Sequence, residues 1–192
     1  MVKLRSMVIN ADRTGVSSTS ANDMRITAVG QLIRRYKLDE LTQLWNVLLG
    51  DMSLVGPRPQ VLSGVSAYTA EERRLLTVRP GITDFASIVF SDEGEILRGS
   101  DDPDRRYDEI IRPWKSRLSL LYIDSQSLLL DVHLICLTAV AMGSREAALA
   151  GVSNILEKLG ADPLVLRMAS RKEPLLAHPP PGEPTLNNRT EG

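Results

Sequence analysis

The chain has 192 residues, a formal net charge of −1, 43% hydrophobic and 4% aromatic residues, enough to bury one core with appendages. The near-neutral balance excludes the electrostatic footprint of a nucleic-acid binder, and a single cysteine, Cys136, excludes a disulfide framework and a cysteine-built zinc site. Residues 1–5 are charged and lead into no long apolar block, so no secretory leader is read there; the most apolar stretch, 128–142, is too short to span a bilayer and carries Asp131 and His133, so the chain itself is expected to be soluble or peripheral.

Residues 1–9 read as a short strand or extended entry, and 11–22, rich in Ser, Thr, Gly and Asp, as a surface loop. Asp23-Met24-Arg25-Ile26-Thr27 leads into a helix with Ile26, Val29, Leu32, Ile33 and Tyr36 on one face and Thr27 as N-cap. Arg34, Arg35 and Lys37 gather at its far end, either as a solvated terminus suited to the helix dipole or as a contact for phosphate or lipid headgroups. In the next helix Leu38, Leu41, Leu44, Trp45, Leu48 and Leu49 recur at helical spacing, which predicts one buried stripe, and Gly50 stops it. A short apolar run, 52–55, then enters Gly56-Pro57-Arg58-Pro59, a rigid turn bearing one cation.

Residues 60–68 read as an irregular link, and Thr69-Ala70-Glu71-Glu72 as a capping box opening a helix to about Thr77. Residues 78–83 form a tight turn; 85–90 read as a strand and 95–97 as a short return strand. Asp102 with Pro103 opens a helix that turns Tyr107, Ile110 and Ile111 inward. Pro113 breaks or kinks it, and the helix continues over 114–122 with Leu118, Leu121 and Tyr122 inward. A hinge at 124–127 precedes the most apolar helix, 128–142. Ser144 caps another that Gly160 ends, and Asp162-Pro163 starts a last short helix through Met168. From Arg171 onward Pro, Gly, Asn, Thr and charge dominate, and 171–192 reads as a disordered tail. The class is therefore α+β, helix-dominant: a compact single domain with a small sheet, a principal unit over 1–143, a helical extension over 144–170 and the tail.

The chemistry-bearing candidates are Asp39, Glu40, Arg58, Arg79, Lys3, Arg25 and Gln43. Asp39 and Glu40 open the second helix, where unpaired backbone N–H groups favour negative charge by about 0.3–1 kcal/mol each and keep a carboxylate ionised; Asp39 could equally be a plain cap. Arg58 and Arg79 each sit beside proline, either as exposed turn residues or as rigidly presented guanidinium groups suited to phosphate. Two carboxylates and two arginines could together hold a Mg²⁺–diphosphate. No P-loop, Gly-x-Gly-x-x-Gly, His-Glu-x-x-His or Gly-x-Ser-x-Gly motif is present, and His133 and His178 look structurally incidental.

At Lys3-Leu4-Arg5-Ser6-Met7, Asp23-Met24-Arg25-Ile26-Thr27, Leu38-Asp39-Glu40-Leu41, Gln43-Leu44-Trp45-Asn46, the run Gly50 to Pro59, Arg79-Pro80-Gly81-Ile82-Thr83 and Tyr122-Ile123-Asp124-Ser125-Gln126-Ser127, the sequence resembles the bacterial sugar transferases, the monotopic phosphoglycosyl transferases. The resemblance runs over roughly 1–143, making that unit the catalytic domain. It implies transfer of a phosphosugar from a UDP-sugar to polyprenol (undecaprenyl) phosphate with release of UMP, at the cytoplasmic face of the bacterial inner membrane, in glycan or exopolysaccharide assembly. It gives Asp39 the role of nucleophile, Glu40 that of Mg²⁺ ligand, and Lys3, Arg5, Arg25, Gln43, Arg58, Arg79 and Gly81 places around the substrate. Family members carry a re-entrant membrane helix before the Lys3 segment, where this chain begins, so lipid turnover is expected to depend on an anchor. Asp84-Phe85-Ala86-Ser87-Ile88-Val89-Phe90 departs from the family's common run, which predicts a different nucleotide or sugar pocket. Two other readings compete: a non-catalytic nucleotide-sugar binding or scaffold module, and a hydrolase in which water resolves the Asp39 adduct.

Overall fold

The computed structural model describes residues 4, 6–9, 23–35, 42–58 and 62–184. The loop expected over 11–22, the helical positions Tyr36, Leu38 and Leu41, and the side chains of the Arg34–Lys37 cluster lie outside the described residues.

The sheet is small, as expected, but its strands are other ones: β1 (Ser53–Val55) and β2 (Gly81–Thr83), the latter taken from the end of what reads as a tight turn, run parallel, with Ser53 opposite Gly81 and Val55 opposite Thr83. At the start of the chain Met7 bridges Ile26 in antiparallel fashion. The strand expected over 85–90 is instead a helix, α4 (Phe85–Val89), after α1 (Ala28–Arg35), α2 (Gln43–Leu48) and α3 (Leu62–Ser66). Asp84, in extended conformation, caps α4 by accepting the Ser87 amide at 2.7 Å. A run with five apolar residues in six has little period, so strand and buried helix read alike; here Phe85, Ala86, Ile88, Val89 and Phe90 are buried, and Ser87 is the one polar member. The expected return strand is likewise a short helix, α5 (Glu93–Ile96), and the link after residue 60 contains α3.

The helical expectations around local caps hold. Thr27 caps α1 by accepting the Gly30 amide at 2.9 Å. Thr69 and Glu72 form the reciprocal box, with Glu72 N–H to Thr69 Oγ1 at 3.1 Å and Thr69 N–H to Glu72 Oε2 at 3.0 Å, although the helix they open is a 3₁₀ segment, Glu72–Leu76. Asp102 caps α6 (Pro103–Ile110), and Pro113 falls in the first turn of α7 (Arg112–Ser125), where its missing N–H costs nothing. Ser127 caps α8 (Leu128–Gly143), Ser144 caps α9 (Arg145–Lys158) and Asp162 caps α10 (Pro163–Ser170).

The apolar stripe of α2 is not buried. Leu48 is 78% exposed and Trp45 58%, with Leu44 and Leu49 also exposed, while Gln43 and Asn46 are the buried members. Val29 and Leu32 of α1 are exposed as well. The core lies elsewhere, around Phe85, Leu97, Trp114, Leu118 and Leu134, and residues 144–170 complete it with Val152, Leu156 and Met168.

The expected tail starts later than Arg171. Residues 171–184 run back as a strap over α6, α7 and the 3₁₀ segment. The Trp114 indole N–H donates to Leu176 O at 2.8 Å, Arg117 to Pro179 O at 2.9 Å, and Thr69 Oγ1 to Pro181 O at 2.5 Å, while the His178 ring packs on Trp114 with centroids 4.8 Å apart. A buried indole needs an acceptor, and an extended proline-rich segment offers carbonyls that no internal ladder consumes. Residues 185–192 lie outside the described residues.

Candidate functional site

Asp39, Glu40, Lys3 and Arg5 lie outside the described residues. Of the remaining candidates, the structure brings the two proline-flanked turns together through their backbones. Ser53 N–H donates to Pro80 O at 2.8 Å, Gly81 N–H to Pro57 O at 2.9 Å, and Gly56 N–H to Thr83 O at 2.9 Å. The approach is so close that a Cβ on Gly81 would lie 2.1 Å from the Gly56 nitrogen, and one on Gly56 would lie 2.8 Å from Arg79 O. Only glycine permits this contact. Tyr122 supports the same ladder from α7, its hydroxyl at 3.4 Å from Val55 O and 2.8 Å from Asp131. Burial, with the hydrogen bond to Asp131, holds that phenol well above its ordinary pKa.

The side chains of the two turns part company. Arg58 is half-buried at the edge of a cleft, whereas Arg79 is exposed and does not line it. Gln43 is 2% exposed on α2, and its Oε1 has no hydrogen-bond partner among the described residues. Arg25 is clasped by Asp23, with Nε at 2.9 Å and Nη2 at 2.6 Å from its carboxylate; that hydrogen bond raises the guanidinium pKa, and a phosphate at Arg25 would compete with it.

The cleft, about 550 Å³ including its open mouth, is lined by Arg58, by Asp84 and Ser87 of α4, by Tyr107 and Asp108 of α6, and by one face of α7. That face carries Arg112, Lys115, Ser116 and Ser119, which recur at i, i+3, i+4 and i+7. Two buried networks lie beneath it. Glu72, fully buried, accepts Arg112 Nη2 at 2.6 Å and Ser116 Oγ at 2.7 Å. Burial would push its pKa up, but the hydrogen bonds from Arg112, the Thr69 amide and Ser116 outweigh burial and hold it below the ordinary value. Asp84, also fully buried, accepts Ser87 N–H and Ser87 Oγ, both at 2.7 Å, and Ser119 Oγ at 2.6 Å. At the cleft wall Lys115 pairs with Glu93 and lies 5.4 Å from the centre of the Tyr107 ring. Burial would lower its pKa; Tyr107 and Glu93 keep it raised, against the opposing charge of Arg58. Tyr68 also lines the cleft, and burial pushes its phenol up to about 12, so it stays protonated.

Sequence reasoning missed Ser87, Tyr107, Asp108, Arg112, Lys115, Ser116 and Ser119. The polar spacing Arg112-x-x-Lys115-Ser116-x-x-Ser119 was the available signal, masked by the apolar stripe on the same helix. Asp124, within the stretch that resembles the family, pairs with Arg74, and both partners are half-exposed. No cluster of three metal-ligating side chains occurs among the described residues, and Glu72, Asp84 and Glu93 are already engaged.

Comparison with known proteins adds identity to this geometry. The chain is 36% identical over 138 residues to the uncharacterized sugar transferase EpsL of Bacillus subtilis, covering 72% of this chain and 59% of that protein. It is 37% identical over 154 residues to the UDP-glucose:undecaprenyl-phosphate glucose-1-phosphate transferase of Xanthomonas campestris, covering 77% of this chain and 29% of that one. With the undecaprenyl-phosphate glucose phosphotransferase of Komagataeibacter xylinus it shares 41% identity over 147 residues, 71% of this chain and 25% of the other. The chain thus spans between a quarter and three fifths of the length of these relatives. The profile of the bacterial sugar transferases matches residues 1–145, and the chain belongs to that family.

Proposed function

We propose that this chain is the catalytic unit of a phosphoglycosyl transferase that moves a sugar 1-phosphate from a UDP-sugar to undecaprenyl phosphate in polysaccharide synthesis. The observation that carries the reading is the back-to-back packing of Gly56-Pro57-Arg58 against Arg79-Pro80-Gly81, within the residues matched by the family. It fixes the backbone beside two guanidinium groups, and fixed cations suit a diphosphate because little side-chain freedom is lost on binding. The relatives named for glucose 1-phosphate transfer support the substrate class.

In this reading the Asp39 carboxylate attacks the phosphorus that bears the sugar. The bond from that phosphorus to the bridging oxygen breaks, and UMP departs with that oxygen. An oxygen of the lipid phosphate then attacks the same phosphorus and releases Asp39 as a carboxylate. A carboxylate nucleophile divides one hard displacement into two easier ones. Mg²⁺, held by Glu40, would supply neutralisation of the diphosphate charge. Arg58 and Arg79 orient the phosphates, and one site serves donor and acceptor in turn.

The acceptor is a lipid, and the exposed apolar residues supply a surface for its bilayer. Leu44, Trp45, Leu48 and Leu49 on α2, Leu54 on β1 and Leu128, Leu129, Val132 and Ile135 on α8 are all exposed, and α2 and α8 both pack against β1. Apolar exposure on this scale marks an interaction face. No helix among the described residues is long and apolar enough to cross a membrane.

The deciding experiment incubates the chain with UDP-glucose and Mg²⁺ and weighs the intact protein, then adds undecaprenyl phosphate in micelles and measures UMP. A hexose-phosphate adduct that Asp39→Asn abolishes, formed with one equivalent of UMP, and further UMP turnover only once the lipid is added, is the expected outcome. Binding of UDP-glucose with neither adduct nor UMP would make the chain a binding module; continuing UMP release beyond one equivalent without lipid would make it a hydrolase.

A further inference from the structure

The cleft beside Arg58 differs chemically from the arginine turns. Its lining and supporting charges are Arg58, Arg112 and Lys115 against Glu72, Asp84, Glu93 and Asp108, so it is not cationic in sum and does not attract a diphosphate into its depth. Its serines are committed in one direction. Ser87 and Ser119 donate their hydroxyl protons to Asp84, and Ser116 donates its proton to Glu72. Only their oxygen lone pairs face a ligand, and those accept. Asp108, whose side chain is 58% exposed at the rim, also accepts. A phosphate oxygen finds no donor on such a floor, whereas a sugar hydroxyl or acetamido N–H finds an acceptor. Donors come instead from the cations of the wall and rim and from the phenols of Tyr68 and Tyr107, with Arg58 where the cleft meets the glycine-locked turns.

Building on the proposed transfer reaction, we infer that this cleft receives the pyranose ring of the donor, phosphate end toward Arg58, and that Ser87 and Asp108 select the sugar by accepting hydrogen bonds from its hydroxyl or amide groups. The turn into α4 supplies Asp84 and Ser87 to this cleft. The buried carboxylates hold the serine oxygens in place before the sugar arrives, so the orientation is not lost to side-chain freedom on binding.

The test uses the full chain in detergent micelles with undecaprenyl phosphate and compares UDP-glucose, UDP-galactose and UDP-N-acetylgalactosamine as donors. Ser87→Ala removes one acceptor while Asp84 keeps its bond to the residue 87 amide, and Asp108→Asn changes a rim group that folding does not bury. The expected result is a change of about ten-fold or more in the ratio of kcat/KM between donors, with inhibition by UDP, which lacks the sugar, unaltered. Equal losses for all donors, or unchanged ratios, would overturn the inference while leaving the transfer reaction standing. Should the wild-type chain release no UMP from any donor, the transfer reading falls by itself. Saturation-transfer NMR with glucose 1-phosphate and galactose 1-phosphate then decides the cleft: signal from the sugar protons that Ser87→Ala weakens supports it, and signal that is absent or unmoved overturns it.

Discussion

The Gly81 amide donates to the Pro57 carbonyl across 2.9 Å, and that bond seats one arginine-bearing turn on the other. A side chain at either glycine has nowhere to go, because the nearest atoms are backbone. Gly81→Ala is expected to cost at least about 2–3 kcal/mol and to lower UMP release further than the stability loss explains. Urea denaturation midpoints alongside turnover at a temperature where the variant stays folded check this.

Glu72 gives a pH signature. Its folded-state pKa lies below the ordinary 4.5, so the folded protein holds its proton less tightly than the unfolded chain. The stability it contributes is therefore complete above that ordinary value and is lost as pH falls through the lower folded value. Glu72→Gln strands Arg112 and is expected to cost about 3–5 kcal/mol at neutral pH. The gap from wild type should narrow as denaturation is followed down to about pH 3. A gap that stays constant would show that charge is not the source.

On the exposed face of α2, Leu48→Glu is expected to change folding stability by no more than about 0.5 kcal/mol, since Leu48 is 78% exposed. Co-flotation with anionic phospholipid vesicles should fall sharply. A large drop in melting temperature would instead mean that this face packs against protein.

Asp124→Ala should be nearly silent. The Arg74–Asp124 pair has side chains 45% and 51% exposed, and exposed pairs contribute about 0–1 kcal/mol. Calorimetric melting of wild type and variant at low and high salt measures it, and a loss of activity without a loss of stability would give Asp124 a role at the site.

What the sequence showed and hid divides by range. Thr27, Thr69, Asp102, Ser144 and Asp162 were legible as helix starts because a cap is a contact within three residues; Ser127, read as part of a hinge, proved to be one more. The stripe on α2 was legible as a stripe, but helical spacing does not say what covers it, and here no described part of the protein does. Residues 85–90 were misread because five apolar positions in six, with Ser87 alone polar, leave too little period to separate strand from helix. The turns at Arg58 and Arg79 were seen to belong together, yet their glycine-to-glycine contact needed coordinates. The cleft was invisible because Ser87, Asp108 and the polar face of α7 come from three elements, none of them conspicuous alone. Asp39 and Glu40, the centre of the sequence argument, lie outside the described residues, so their role rests on the family.

Removing residues 171–192 takes an acceptor from the Trp114 indole and the carbonyls that Arg117 and Thr69 reach. The truncated chain is expected to melt lower by an amount matching about 2–3 kcal/mol, measurable by differential scanning calorimetry.

The strap also has a reach beyond its own length. Pro181 meets Thr69, Thr69 meets Glu72, and Glu72 meets Arg112 on the wall of the cleft. A segment past the family-matched residues is thereby wired, in three handshakes, to the chamber wall. Chimeras that exchange only the last quarter of two such chains would trade more than an appendage: they would retune the room next door.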